Sequence, residues 1–191
     1  MIDRHCDIAG MVLAGGKSTR MKRNKALLNV EGVSFVERIV ETLEQRFSRI
    51  CISANCPDEY AFLEYPIVPD VFEDSGPLAG IHAVMKSERT EYLFVVTCDI
   101  PFINTDVIDT IIDKRESDKI LIADDGLRSH YLVGLYPRII LEELEKFLER
   151  DGRQVGVFIN SVDHKTVDLS AFSYALKNIN TAEEYEKEIG T

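Results

Sequence analysis

The six residues Tyr92-Leu-Phe-Val-Val-Thr97 constrain the fold more than any other stretch. A strand with one wet face alternates apolar and polar side chains. This one is apolar almost throughout, so both of its faces need cover, as in the interior of a sheet flanked by helices. The rest of the chain supplies the partners. Apolar runs at Ile8–Ala14, Arg49–Ala54, Pro66–Pro69, Lys119–Ala123 and Tyr131–Tyr136 read as further strands. Helical patterns lie between them. Ser34 with Glu37 makes a capping box, and Phe35, Ile39, Val40, Leu43 and Phe47 form the apolar face behind it. Short or longer helices are expected at Pro57–Leu63, Gly76–Glu88, Asn104 to about Arg115, and Ile139–Leu148. Thr181 and Glu184 make a second capping box before a final helix. The polar stretch 124–130 reads as a loop. Alternation of this kind implies an α/β protein with a mostly parallel sheet and helices on both faces. At 191 residues one domain accounts for the whole chain.

The richest chemistry lies just past the first strand. Leu13-Ala14-Gly15-Gly16 is followed by Lys17, Arg20, Lys22, Arg23 and Lys25, five cations within nine residues. The chain as a whole is acidic, 33 carboxylates against 22 cations, for a net charge of -11. A local basic loop on an acidic protein points to capture of a small polyanion, with a phosphate-bearing ligand foremost. Glycines let backbone N–H groups approach phosphate oxygens. Arg20 can fork onto two oxygens, and Lys25 supplies a movable point charge. The loop is not a Walker A motif, because Met11 stands where its first glycine belongs. It is not a GxGxxG dinucleotide fingerprint either.

Three further segments fall where open α/β sheets place ligands, past the C-terminal ends of strands. Asp99, in Thr97-Cys98-Asp99-Ile100-Pro101, is a candidate Mg²⁺ ligand, with substrate phosphates and water completing the shell. Asp70 ends another strand, and Gly76-Pro77-Leu78-Ala79-Gly80 starts a helix close to a flat ligand. Asn55 follows the second strand with an amide that both donates and accepts. Taken alone, Asn55 reads as a turn residue and the 76–80 segment as a plain loop. Asp74 reads as solvated, and His82 and His130 as packed or surface histidines. No GxSxG elbow is present, and no cysteine has a convincing histidine partner, so no nucleophile emerges.

Composition closes other routes. Duplex nucleic acid as a main partner needs a broad basic surface that this chain lacks. Charged residues interrupt the N-terminus, and no window approaches the ~20 apolar residues of a membrane span. Cys6, Cys51, Cys56 and Cys98 have neither CxxC nor zinc spacing and read as structural thiols. A cytoplasmic protein without nucleic-acid or membrane partners is expected.

The ordered set Leu13-Ala14-Gly15-Gly16, Arg20-Met21, Lys25, Asp70, Gly76-Pro77-Leu78-Ala79-Gly80, Cys98-Asp99-Ile100-Pro101 and Asn178-Ile179-Asn180-Thr181 resembles the molybdenum cofactor guanylyltransferases. The resemblance runs from about Ala9 to Tyr185. It implies a three-layer Rossmann-like nucleotidyltransferase fold and transfer of GMP from GTP to the terminal phosphate of molybdopterin, with Mg²⁺ as cofactor. It implies that Leu13, Ala14, Gly15, Gly16, Lys25, Asn55, Asp70, Pro77, Leu78 and Asp99 hold GTP, with Asp99 also on the metal. Lys25, Arg20 and Asp99 would carry the catalysis. Arg153, Asn178 and Asn180 would line the molybdopterin side. Residues about 8–100 would then form a GTP-binding part and about 101–188 an acceptor part of one domain. GTP and the molybdenum cofactor would be its partners, with transient contact to cofactor-delivery proteins. The chain departs from the family pattern at Lys22, Asn24 and Ala182, where glycine, aspartate and proline are usual. Other nucleotidyltransferases, for cytidylyl or sugar-phosphate substrates, share the opening loop and Asp99. These and a non-catalytic GTP-binding protein are the alternative readings.

Overall fold

A computed structural model describes residues 5–15 and 25–189. Gly16, Lys17, Arg20, Lys22, Arg23 and Asn24 lie outside the described residues. Among the described residues the strands are β1 (Ile8–Leu13), β2 (Asn29–Val30), β3 (Val33–Ser34), β4 (Ile50–Ser53), β5 (Ile67–Val68), β6 (Tyr92–Thr97), β7 (Ile120–Asp124), β8 (Ser129–Pro137) and β9 (His164–Asp168). The α-helices are α1 (Phe35–Glu44), α2 (Pro77–Ser87), α3 (Thr105–Ile112), α4 (Leu141–Glu149), α5 (Val155–Ser161) and α6 (Ala182–Ile189). The segment Pro57–Leu63 is a 3-10 helix.

Seven strands form one sheet in the order β5-β4-β1-β6-β8-β7-β9, and β2 with β3 forms a small hairpin. Pairing is parallel except where β8 runs against β6 and β7. The doubly apolar reading of β6 is explained by two cores. Tyr92, Phe94 and Val96 face one layer with α1 and α3, where the Phe47 and Phe94 ring centroids lie 5.5 Å apart in a tilted contact. Leu93 and Val95 face the other, with residues of α2, α4 and α5. Successive strand residues point to opposite faces, so such a strand must be apolar at every position.

Both capping boxes form. Ser34 accepts from the Glu37 amide while Glu37 accepts from Ser34. Glu184 accepts from the amides of Asn180 and Thr181 and donates its own to Thr181 Oγ1. The elements absent from the sequence reading are the β2–β3 hairpin, α5 and β9. Val155-Gly-Val-Phe has the composition of a strand, yet it is helical because Phe158 and Ile159 are buried against the sheet. In β9 only Val167 is buried, so no apolar run marks it.

Candidate active site

Register brings the site together. Leu13 pairs with Ser53 and with Thr97, and Ser53 pairs with Val68, so four parallel strands finish level with one another. Whatever follows each of them leaves the sheet at one rim. The segments are Ala14–Gly15, Asn55, Asp70 and Cys98–Asp99.

The first of these is tied down rather than open. The Ala14 and Gly15 amides both donate to the Ser53 carbonyl at 3.0 Å, Leu13 O accepts from the Cys98 amide, and Ala14 O accepts from the buried Tyr60 hydroxyl. Leu13 and Ala14 are themselves buried. The N–H groups of Ala14 and Gly15 are thus engaged by Ser53. Gly15 is exposed, and a Cβ there would meet nothing closer than 3.6 Å. It presents bare backbone at the rim.

Asn55 and Asp70 lock the ends of β4 and β5 to each other. Asn55 Nδ2 donates to Asp70 Oδ2 at 2.8 Å, and the Asp70 amide donates to Asn55 Oδ1 at 2.9 Å. Burial pushes the Asp70 carboxyl above its ordinary range, and the Asn55 hydrogen bond only partly offsets this. Behind them, α2 begins at Pro77 after Gly76, whose φ of 71° favours glycine. Gly80 has a different reason to be glycine. A Cβ there would lie 2.3 Å from Ser53 Oγ and 3.0 Å from Leu13 Cδ2, so its absence is what lets α2 pack against the rim. Pro77 is exposed and Leu78 fully buried, so only Pro77 offers a side chain to a ligand.

Asp99 follows β6 in a tight turn. Its carbonyl accepts from the Ile179 amide at 2.8 Å. Its Oδ2 accepts from Asn178 Nδ2 at 3.0 Å, while its Oδ1 is buried without a hydrogen-bond partner among the described residues. Lys25 opens a short 3-10 turn and donates from Nζ to Asn180 Oδ1 at 3.0 Å. One C-terminal segment thus reaches both charged groups. Ile179 is fully buried beside Val30 and Phe35, and the asparagines on either side of it hold Asp99 and Lys25. Cys98 lies between these charges. Burial, aided by Asp99, pushes its thiol up to about 12, and Lys25 only weakly opposes. A thiol raised this far is a poor nucleophile near neutral pH.

Asp99 suits a divalent ion through the chemistry of its donor set. A buried carboxylate oxygen without a partner is costly unless something else meets it. Among the described residues no group of three or more His, Cys, Asp or Glu could hold a metal by itself. One protein carboxylate, with the remaining positions left to substrate oxygens and water, is the Mg²⁺ pattern.

The Arg153 carbonyl faces Gly76 at the start of α2, and its guanidinium pairs with Asp151 at 2.7 Å. Arg128, in the turn between β7 and β8, went unremarked in the sequence, yet its Nη2 donates to Asn178 Oδ1 at 2.7 Å. A cation in a polar loop gives no sign of such a contact. His82 and His130 are both buried, as read.

Comparison with known proteins agrees with this geometry. The family model of the MobA-like NTP transferase domain matches residues 10–165. A Clostridium perfringens protein named probable molybdenum cofactor guanylyltransferase is 35% identical over 184 residues, covering 92% of each chain. The molybdenum cofactor guanylyltransferase of Serratia proteamaculans is 32% identical over 183 residues, covering 94% of this chain and 93% of that protein. The solved structure of molybdopterin-guanine dinucleotide biosynthesis protein A from Archaeoglobus fulgidus superposes with a TM-score of 0.81, covering 95% of this chain and 97% of that one. At 18% identity, that last likeness speaks to the fold alone.

Proposed function

The chain belongs to the MobA-like NTP transferase family, and from that premise we propose that it is a guanylyltransferase moving GMP from GTP to the terminal phosphate of molybdopterin. A phosphate oxygen of the acceptor attacks the α-phosphorus of GTP, a new P–O–P link forms, and pyrophosphate leaves. The acceptor phosphate is ionised near neutral pH, so the reaction needs neither a general base nor a covalent enzyme intermediate. The work left to the protein is positioning and neutralising charge.

One observation carries the reading: a single segment, Asn178-Ile179-Asn180, holds Asp99 and Lys25 at the same rim. Asp99 would hold Mg²⁺, which when bound neutralises charge on the substrate phosphates. Lys25 would stabilise the transferred phosphoryl and the departing pyrophosphate, joined by Arg20. Asn55, Asp70, Pro77 and the backbone around Leu13, Ala14, Gly15, Gly16 and Leu78 would bind the nucleotide. Asn178 and Asn180 would bound the acceptor side, with Arg153 beside the helix start. Residues about 8–100 then form the GTP part and about 101–188 the acceptor part. The setting we propose is cytoplasmic, where a delivery protein would hand over the acceptor in transient contact.

Pyrophosphate release from GTP, Mg²⁺ and molybdopterin tests the activity. The folded protein should release it, and CTP and UTP should compete poorly with GTP. Lys25→Ala should cut turnover at least ~100-fold if its charge acts in the transition state. No pyrophosphate from folded protein would leave a GTP-binding protein without transferase activity. Better use of CTP would move the protein to the cytidylyl enzymes.

A further inference from the structure

The β7–β8 turn carries a cation to the rim that the reading above does not use. Arg128 Nη2 donates to Asn178 Oδ1 at 2.7 Å, and Asn178 Nδ2 donates to Asp99 Oδ2 at 3.0 Å. A guanidinium can only donate and an ionised carboxylate can only accept. Between them the carboxamide has one orientation that satisfies both ends. Without Arg128, the Oδ1 end of Asn178 loses the partner that holds the carboxamide in place against Asp99.

Arg128 is itself held. Its amide donates to Asp125 Oδ1 at 2.9 Å, its carbonyl accepts from the Asp125 amide at 3.2 Å, and its Nε lies 3.9 Å from Asp125 Oδ2. Asp125 is anchored in turn by His130 Nε2 at 2.7 Å. The side chain of Arg128 is still 56% exposed, so its replacement empties no core.

We infer that Arg128 is a positioning residue for the metal carboxylate: it acts through Asn178 to hold Asp99 by Oδ2, keeping Oδ1 turned to the divalent ion. The inference rests on the reading that Asp99 binds that ion. Partners of metal ligands act this way generally, and losing one costs about 10–100-fold in metal affinity.

The test is Mn²⁺ retention by the GTP complex, read from the free-ion electron paramagnetic resonance signal, in wild type, Arg128→Ala, Asn178→Ala and the double variant. Arg128→Ala should weaken Mn²⁺ binding about 10-fold or more. Asn178→Ala should do the same, and the double variant should be no worse than either, because the two residues form one chain of contact. GTP binding without metal should be unchanged. Additive losses would overturn the inference. So would wild-type Mn²⁺ binding in Arg128→Ala, whether alone or with a raised KM for the acceptor, the latter meaning direct contact with the acceptor phosphate. Asp99→Asn separates the two levels. If it keeps full Mn²⁺ binding, the metal assignment falls and this inference with it. If it loses binding while Arg128→Ala does not, only the inference falls.

Discussion

Asp124, which ends β7, and Asp125, in the turn after it, have a partner for every carboxylate oxygen; Asp99, after β6, does not among the described residues. Asp124 accepts from the Gly126 amide and the Ser129 hydroxyl. Asp125 accepts from the Leu127 and Arg128 amides and from His130. Burial alone would raise Asp125, but those hydrogen bonds outweigh it and bring the carboxyl to about 2. Asp99 has one oxygen on Asn178 and the other buried and unmet. Asp99 and Asp125 both leave the same sheet in tight turns. The turn at 124–128 uses its carboxylates up in holding its own shape. The turn at 98–101 keeps one oxygen in reserve, which is what a ligand site requires and a structural site avoids.

Asp99→Asn gives the largest effect and the sharpest form of this contrast. The amide keeps the shape and can still accept from Asn178, but loses the charge. Turnover should fall at least ~100-fold. The thermal midpoint should move by less than ~3 °C, equivalent to about 1 kcal/mol in a domain this size. A variant that stayed active, or one that melted far earlier with little loss of turnover per folded molecule, would make Asp99 a structural acid like its counterparts after β7.

Asp125→Asn should do the reverse. Activity per folded molecule should change much less than for Asp99→Asn, while stability drops by about 1–2 kcal/mol near neutral pH. The sign with pH is fixed by the lowered carboxyl. Its stabilisation is fully present above the ordinary value of 3.8 and is lost as pH falls through about 2. Urea melts of wild type and variant should therefore differ most above pH ~4 and converge toward pH ~2. A gap that stayed constant over that range would show that the ionised Asp125 is not what holds the turn.

The same contrast explains what the sequence could disclose. Lys25 and Asp99 were legible because their neighbours are unusual: a cation run on an acidic chain, and an acid past a doubly apolar strand. Asn178 and Asn180 were legible only by family resemblance, since nothing in Asn-Ile-Asn says that Asp99 and Lys25 lie across from it. Arg128 was not legible at all. Its turn reads as solvent-facing, and its role depends on the pairing of β8 between β6 and β7. Most core elements announced themselves through β6, β1 and the face of α1. The edge strand β9, with one buried side chain, had no apolar pattern to show, and α5 is helical against its own β-rich composition because packing outweighs propensity there.

Asp70 stands between the two extremes and gives the smallest effect. It has a partner in Asn55, yet burial leaves its carboxyl raised, so the folded protein holds the charged form at some cost. For a raised acid the favourable contribution is present below the unfolded pKa and is lost as pH rises through the folded one. At pH 7 the cost is therefore in force, and Asp70→Asn should stabilise the protein slightly. Below pH ~4 the gain should disappear. GTP affinity should fall in the same variant if Asp70 binds the nucleotide as proposed. Calorimetric melts across pH, paired with GTP titration, check both halves. A variant that was more stable and bound GTP as well as wild type would place Asp70 outside the nucleotide site and leave its charge without a purpose at this rim.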